Sequence, residues 1–209
     1  MPSLKRLDSH DFYQRDALSL AEAVLGKVIV HRLDDGHELV ARIVECEAYA
    51  GEIDKASHTY GGRRTARTEF LYRRAGHIYV YLIYGLHELL NIVAGDESGE
   101  GVMIRAVEPI QGLDRMGQLR FAKNYADLSP YQKKNLSNGP GKLTRALGID
   151  LSQNGLDLLA DESPLILCSD GYRDFETVRA KRIGIDYAEE AIHFPYRFYI
   201  AGNPHVSKV

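Results

Sequence analysis

Only two cysteines, Cys46 and Cys168, occur in the 209 residues, and they share no pair spacing. A disulfide framework is therefore not expected, and both read as buried thiols in a reducing compartment. No Cys-x-x-Cys is present and none of the eight histidines falls at His-x-x-x-His spacing, so no metal site is expected. The longest apolar run, Ile78 to Tyr84, is seven residues, against the ~20 that a membrane helix needs. Residues 1–15 are charged throughout and lack the apolar centre of a leader peptide. No Gly-x-Gly-x-x-Gly opens a helix and no Gly-x-Ser-x-Gly is present. Gly141-Lys142 lacks the other parts of a phosphate loop, since Leu136 and Leu143 stand where glycine and a hydroxyl residue are needed. There is no internal repeat, low-complexity tract or long linker. With 44% apolar residues the chain reads as one domain over 1–209, able to bury roughly 70% of its unfolded surface.

Charge of one sign is also missing at the global level. The net charge is −3 and the pI about 6.2, whereas a nucleic-acid binder is expected above ~9. Locally the balance is uneven. Residues 63–74 hold five arginines against Glu69, and residues 115–145 hold seven basic residues against Asp127. Residues 150–176 reverse this, with seven acidic residues against Arg173. A polyanion responds to the face it meets rather than to the total, but solvated helix faces give the same pattern.

Asp16, the apolar set Leu18, Ala21, Val24 and Leu25, and Gly26 form an N-cap, an amphipathic face and a terminating glycine, predicting a helix. Residues 27–33 and 38–49 flank Asp34-Asp35-Gly36-His37 as a hairpin. Period two puts Leu39, Ala41 and Ile43 on one face with Glu45, Glu47 and Tyr49, a core strand running out into a cleft. Residues 78–83 read as a strand, Tyr84-Gly85 as a turn and 89–94 as its return, with a helix over 86–93 the competing reading. A strand over 102–107 is closed by Pro109. Helices are expected at 113–120 and 142–147, the second opened by Gly139-Pro140-Gly141 and stopped by Gly148. Late strands are expected at 165–168 and 197–201. Hairpins interleaved irregularly with helices predict an α+β fold, a curved and mostly antiparallel sheet flanked by helices with a protruding hairpin.

Glu45 and Glu47, two apart on a strand, would sit roughly 6.5–7 Å from each other on one face. Burial would raise one of them into the range for acid–base work. Equally, they could be structural carboxylates paired with Arg42 or Arg105. Tyr81 and Tyr84 differ by three positions and point to opposite faces. Such aromatics commonly pack a core, but Tyr84 beside Gly85 at a turn is a candidate wedge into a base stack. Tyr49 and Tyr81 could sandwich a flat ring.

These segments, taken together and in order, resemble a known family. Residues 42–49, then Ala56-Ser57-His58, Gly61-Gly62-Arg63, Tyr79-Val80-Tyr81 with Tyr84-Gly85, Asn91-Ile92, 105–109 and 139–143 are similar to the alkyladenine (3-methyladenine) DNA glycosylases. The likeness runs from about residue 12 to 204. It implies a monofunctional enzyme that flips a damaged purine from double-stranded DNA and hydrolyses its glycosidic bond, leaving an abasic site and using no cofactor. It further implies Glu47 as the general base for the attacking water, with Arg105 beside both. Tyr49 would stack on one side of the base, and His58 with Tyr81 on the other. Asn91 would line the pocket and exclude guanine by its exocyclic amine. Tyr84 would fill the gap in the duplex, and Arg63, Thr65 and Lys142 would lie at the DNA backbone. Leu86 and His87 depart from the family pattern. Residues 121–137 match poorly, which leaves open whether Lys123, Lys133 and Lys134 meet phosphate.

The chemistry of the substrate agrees with such residues. N3- or N7-alkylated purines are cationic, so each tyrosine of a sandwich contributes about 0.5–2 kcal/mol, and a base must leave the stack before its bond is reached. A bacterial, cytoplasmic monomer without membrane association is expected. Two other classes remain as alternatives: a carbohydrate glycosidase with Glu45 and Glu47 as its pair, and a non-catalytic nucleic-acid-binding module using the basic runs and tyrosines.

Overall fold

The computed structural model describes residues 3–207. In chain order its elements are β1 (Lys5–Arg6), α1 (His10–Tyr13), α2 (Ala17–Val24), β2 (Val28–Arg32), β3 (Glu38–Tyr49), β4 (Ile78–Ile83), β5 (His87–Ala94), β6 (Glu100–Gln111), α3 (Leu113–Phe121), α4 (Pro130–Lys134), α5 (Pro140–Leu147), β7 (Leu165–Ser169), β8 (Thr177–Ala180) and β9 (Arg197–Ile200). Short 3₁₀ turns punctuate the long connection from β3 to β4. All strand pairs are antiparallel, in the spatial order β1-β7-β2-β3-β6-β5-β4, with β9 beside β3 and β8 beyond it.

Local chemistry accounts for most boundaries. Asp16 Oδ1 accepts from the Leu18 and Ser19 amides at 3.0 and 2.9 Å, capping α2, and Gly26 ends it at φ 79°. β2 and β3 form the expected hairpin, Val28 opposite Arg42 and Arg32 opposite Glu38. β4 and β5 form the second, and the helix weighed for residues 86–93 is not realised. The expected end of β6 at Pro109 is overrun: the strand continues to Gln111, with Pro109 opposite Ala41 at a register shift. A proline has no N–H for the ladder, and an irregularity is where a sheet tolerates one.

The decisive feature is in β3. Its register shifts between Ile43 and Cys46, and the core residues change parity there, from Leu39, Ala41 and Ile43 to Val44, Cys46 and Ala48. A bulge inserts one residue and turns the following side chains over. The expectation that Glu45, Glu47 and Tyr49 share a face with the Leu39 set is thus corrected; the three lie opposite the core. At the same point β3 changes partner, from β2 along residues 38–42 to β9 along residues 45–47. With β6 on its other side, this stretch lies between two strands.

The core lies inside the curve of the sheet. Ile29 of β2 and Leu165 and Leu167 of β7 share one cluster with Ile78, Leu90 and Ile92 of β4 and β5, strands far apart in the sheet order. α2 closes the cluster through Leu20, Ala21 and Val24. α5 packs on the second hairpin, where Thr144 Oγ1 donates to the Glu88 carbonyl at 3.0 Å. A Cβ on Gly141 would stand 2.9 Å from the His87 Cβ, so glycine is required for that approach. Among the described residues no helix is long and apolar enough to cross a membrane.

Candidate active site

Glu45 and Glu47 are both 0% exposed, on a stretch of β3 flanked in the sheet by β6 and β9. Two arginines answer them. Arg105 of β6 donates from Nε to Glu45 Oε1 at 3.2 Å and places Nη1 3.0 Å from Glu47 Oε1. Arg197 of β9 donates to Glu45 Oε1 at 3.1 Å. Two carboxylates and two guanidiniums thus form a charge-balanced buried group, the arrangement that makes buried ions tolerable.

The two carboxylates have different surroundings. Glu45 also accepts from the Ser207 amide at 2.7 Å and the Ser207 hydroxyl at 3.0 Å, so both its oxygens are occupied by structural partners. Glu47 Oε1 takes Arg105 and the Ile183 amide, the latter at 2.8 Å, while Oε2 takes the Tyr49 hydroxyl at 2.9 Å. An ionised carboxylate offers about four acceptor positions. Among the described residues three are filled, and the remaining one is on Oε2. Burial pushes the Glu47 carboxyl above its ordinary value, with Arg105, the Ile183 amide and Tyr49 offsetting part of the rise. Burial also works against the Arg105 cation, and Glu47 and Glu45 more than restore it.

Directly above lies a cavity of about 350 Å³, within the usual range for a small-ligand site. Tyr49, His58, Tyr81, Tyr84, Asn91 and Arg105 all line it. Six residues scattered over 57 positions of sequence therefore meet in one place, with Glu47 as the buried carboxylate bonded to two of them. Tyr81 stacks on Tyr79 at 5.3 Å and meets His58 edge-on at 4.6 Å and 72°. His58 is thus turned across Tyr81 rather than lying flat beside it. Its Nδ1 is 3.1 Å from the Tyr79 hydroxyl and its Nε2 3.5 Å from Arg67, which suits a neutral ring with the proton on Nδ1. Burial, then Arg67 and Arg63, push the imidazole down to about 4. Asn91 spends its amide nitrogen on the Tyr79 and Leu89 carbonyls at 3.0 and 3.4 Å, fixing its orientation.

The hairpin tip forms one lip of the cavity. Tyr84 is 84% exposed and, with Gly85, has positive φ, 52° and 66°. The Leu86 amide closes the turn on the Ile83 carbonyl at 3.1 Å, the mirror-image turn that suits a twisted hairpin. Tyr187, 67% exposed, stands on the cavity wall as well. An open recess alongside shares Ser57, His58 and Tyr187 and is lined by Arg63, Thr65 and Arg67. Lys142 is elsewhere: its ammonium is held by Asn135 and Asn138 at 2.7 and 2.9 Å, while its neighbours Pro140 and Gly141 reach the cavity.

The methylpurine-DNA glycosylase profile matches residues 11–204. The chain belongs to that family. A protein of Clostridium perfringens (strain SM101), provisionally named 3-methyladenine DNA glycosylase, is 52% identical over 200 residues, covering 95% of this chain and 97% of its own. A relative with the same provisional name from Desulfitobacterium hafniense (strain Y51) is 48% identical over 205 residues, 98% and 99% of the two chains. Membership of the methylpurine-DNA glycosylases makes the chain a DNA-repair hydrolase acting on N-glycosyl bonds.

Several groups at this candidate site escape a reading of residue types. The Ile183 amide is backbone and has no sequence signature. Tyr79, which holds His58 and stacks on Tyr81, alternates like any core strand residue. Arg67 lies over the Tyr81 ring at 4.9 Å and donates to the Tyr79 hydroxyl at 3.3 Å; membership of the basic run was its only sequence signal.

Proposed function

We propose that the protein removes damaged purines from duplex DNA by flipping the nucleotide into the Tyr49–Tyr81 slot and hydrolysing its bond with water activated by Glu47. The observation that carries this reading is a buried carboxylate, raised by burial, with one acceptor position that no described residue fills, at the base of an aromatic cavity. A water donating to Oε2 attacks C1′. As the new C–O bond forms, the C1′–N9 bond breaks and its electron pair leaves with the purine, while Glu47 takes the water proton. The carboxylate also favours the positive charge that develops on the sugar, and Arg105 serves by keeping Glu47 ionised and in place.

The remaining roles follow from position. Tyr49 and Tyr81 give π faces to the base, and the fixed Asn91 amide limits what fits beside it. Tyr84 enters the stack in place of the flipped nucleotide. Arg63 and Thr65, on the recess beside the cavity, meet the backbone, whereas Lys142 contributes by holding the turn ahead of α5. Glu45 is sealed by Ser207, Arg105 and Arg197, which disfavours a two-carboxylate glycosidase acting on carbohydrate.

Glu47→Gln tests the assignment. Single-turnover release of hypoxanthine or ethenoadenine from a duplex should fall by at least about 10³-fold, on the scale of losing the base, with DNA affinity retained. Release at the wild-type rate would remove Glu47 from the mechanism.

A further inference from the structure

Two of the groups that hold Glu47 depend on a loop that none of the expected site residues belongs to. The Ile183 amide lies directly on Oε1. The residue before it, Arg182, has a side chain that is 0% exposed and is not part of the cavity lining. Its guanidinium makes a bidentate pair with Asp54, Nη1 to Oδ2 at 2.5 Å and Nη2 to Oδ1 at 2.8 Å. It also donates to the carbonyls of Ala48 at 2.9 Å and Ala191 at 3.4 Å. Its plane lies 4.8 Å over the Tyr49 ring and 5.2 Å over Tyr196. Asp54 in turn accepts from the Ala50 and Ala56 amides at 3.1 and 3.0 Å. One ion pair therefore ties together the end of β3, the segment leading to His58, and the loop that delivers the Ile183 amide.

Burying such a pair is costly, and apolar packing would often be more stable. The Arg182 Nε even has no acceptor among the described residues. Packing alone does not call for an ion pair here, while the demands of Glu47 do. We infer that Arg182 is a positioning residue for base excision: locked by Asp54, it fixes both the Ile183 amide on Glu47 Oε1 and the Tyr49 ring whose hydroxyl holds Oε2. The inference rests on the glycosylase reading above and extends it to a residue that never touches the substrate.

The groups facing Glu47 define what the loss of Arg182 would do. They are Arg105 of β6, Arg197 opposite it on β9, Glu45 and Cys46 on its own strand, Tyr49, Tyr81 of β4, and Arg182 and Tyr187 from the late loops. Of the three that favour its anion most, Arg105 is held independently by Glu45. The other two, the Ile183 amide and the Tyr49 hydroxyl, hang on Arg182. Releasing them leaves burial less opposed, so the carboxylate becomes harder to ionise.

The test is single-turnover release of methylpurines from methylated duplex DNA between about pH 5 and 9, where the cationic leaving group needs no acid. Arg182→Lys keeps the charge but loses the bidentate, stacked geometry. The double variant Arg182→Met/Asp54→Asn leaves neither ion buried alone, guarding against a loss of folding. In both, the acid limb of the rate–pH profile should move up by about one pH unit, so that release on that limb slows about tenfold while the alkaline plateau stays within about threefold. Affinity for a duplex with an abasic-site analogue should be unchanged. A profile that superimposes on wild type, or that falls equally at every pH, overturns the positioning role. If wild type releases no methylpurine at any pH, the glycosylase reading itself fails and this inference falls with it.

Discussion

Tyr84 occupies a backbone conformation that a side chain ordinarily avoids, at a cost of about 1–2 kcal/mol, and its ring is almost wholly exposed. Strain at an exposed aromatic on a hairpin tip suits a wedge held ready for the duplex. Tyr84→Gly should therefore gain up to about 1 kcal/mol in urea unfolding, the relief being partly offset by the freedom of glycine in the unfolded chain, while its retention of a flipped base weakens. A clear loss of stability would show that the ring is packed rather than poised. His58 gives a pH-dependent prediction. Its folded value of about 4 lies below the ordinary 6.5, so between these the unfolded chain binds a proton that the native one does not. Stability from the neutral ring is thus present above pH 6.5 and is lost as the pH falls towards 4. His31 and His205 shift in the same direction, so the measurement is the difference between wild type and His58→Phe. That difference should decline from pH 7.5 to 4.5; a constant one means the ring is protonated freely in the native state.

At the scale of elements, the bulge in β3 decides which carboxylate is available. It turns the strand over and hands residues 45–47 to β9. Glu45 is thereby placed among Arg105, Arg197 and Ser207, and Glu47 under the cavity. Glu45→Gln leaves the buried group with an excess positive charge, a loss of about 3–5 kcal/mol, and the melting temperature should drop by roughly 10 °C. Base release by the folded fraction should suffer far less than in Glu47→Gln. Equal catalytic losses in the two variants would restore a paired-carboxylate mechanism. The hairpins, α2 and α5 were legible because each is set by local signals: a capping aspartate, turn glycines, alternating apolar residues. The bulge was not, since a register shift depends on the partner strands and leaves no mark in residue order.

Over the whole molecule, the −3 net charge sums segments of opposite sign. The first basic run supplies the recess beside the cavity. The end of the second supplies the turn of α5 that borders it. If Arg63 meets a phosphate, Arg63→Ala should weaken binding to undamaged and damaged duplexes alike. It should also flatten the slope of log affinity against log salt by about 1. An unchanged slope would place Arg63 off the DNA.

Residue order determined the family and the α+β class, and it singled out Glu47, Tyr49, His58, Tyr81, Asn91 and Arg105 as candidates, because these sit in short segments whose types and sequence are distinctive. Tertiary structure decided how they are arranged. Which carboxylate is free, which face of β3 it occupies and what backs it all depend on pairing and burial between distant parts of the chain. Arg182 and Asp54, 128 positions apart, form a buried ion pair that no local pattern announces, since its physical basis is the shared low-dielectric interior that folding alone creates.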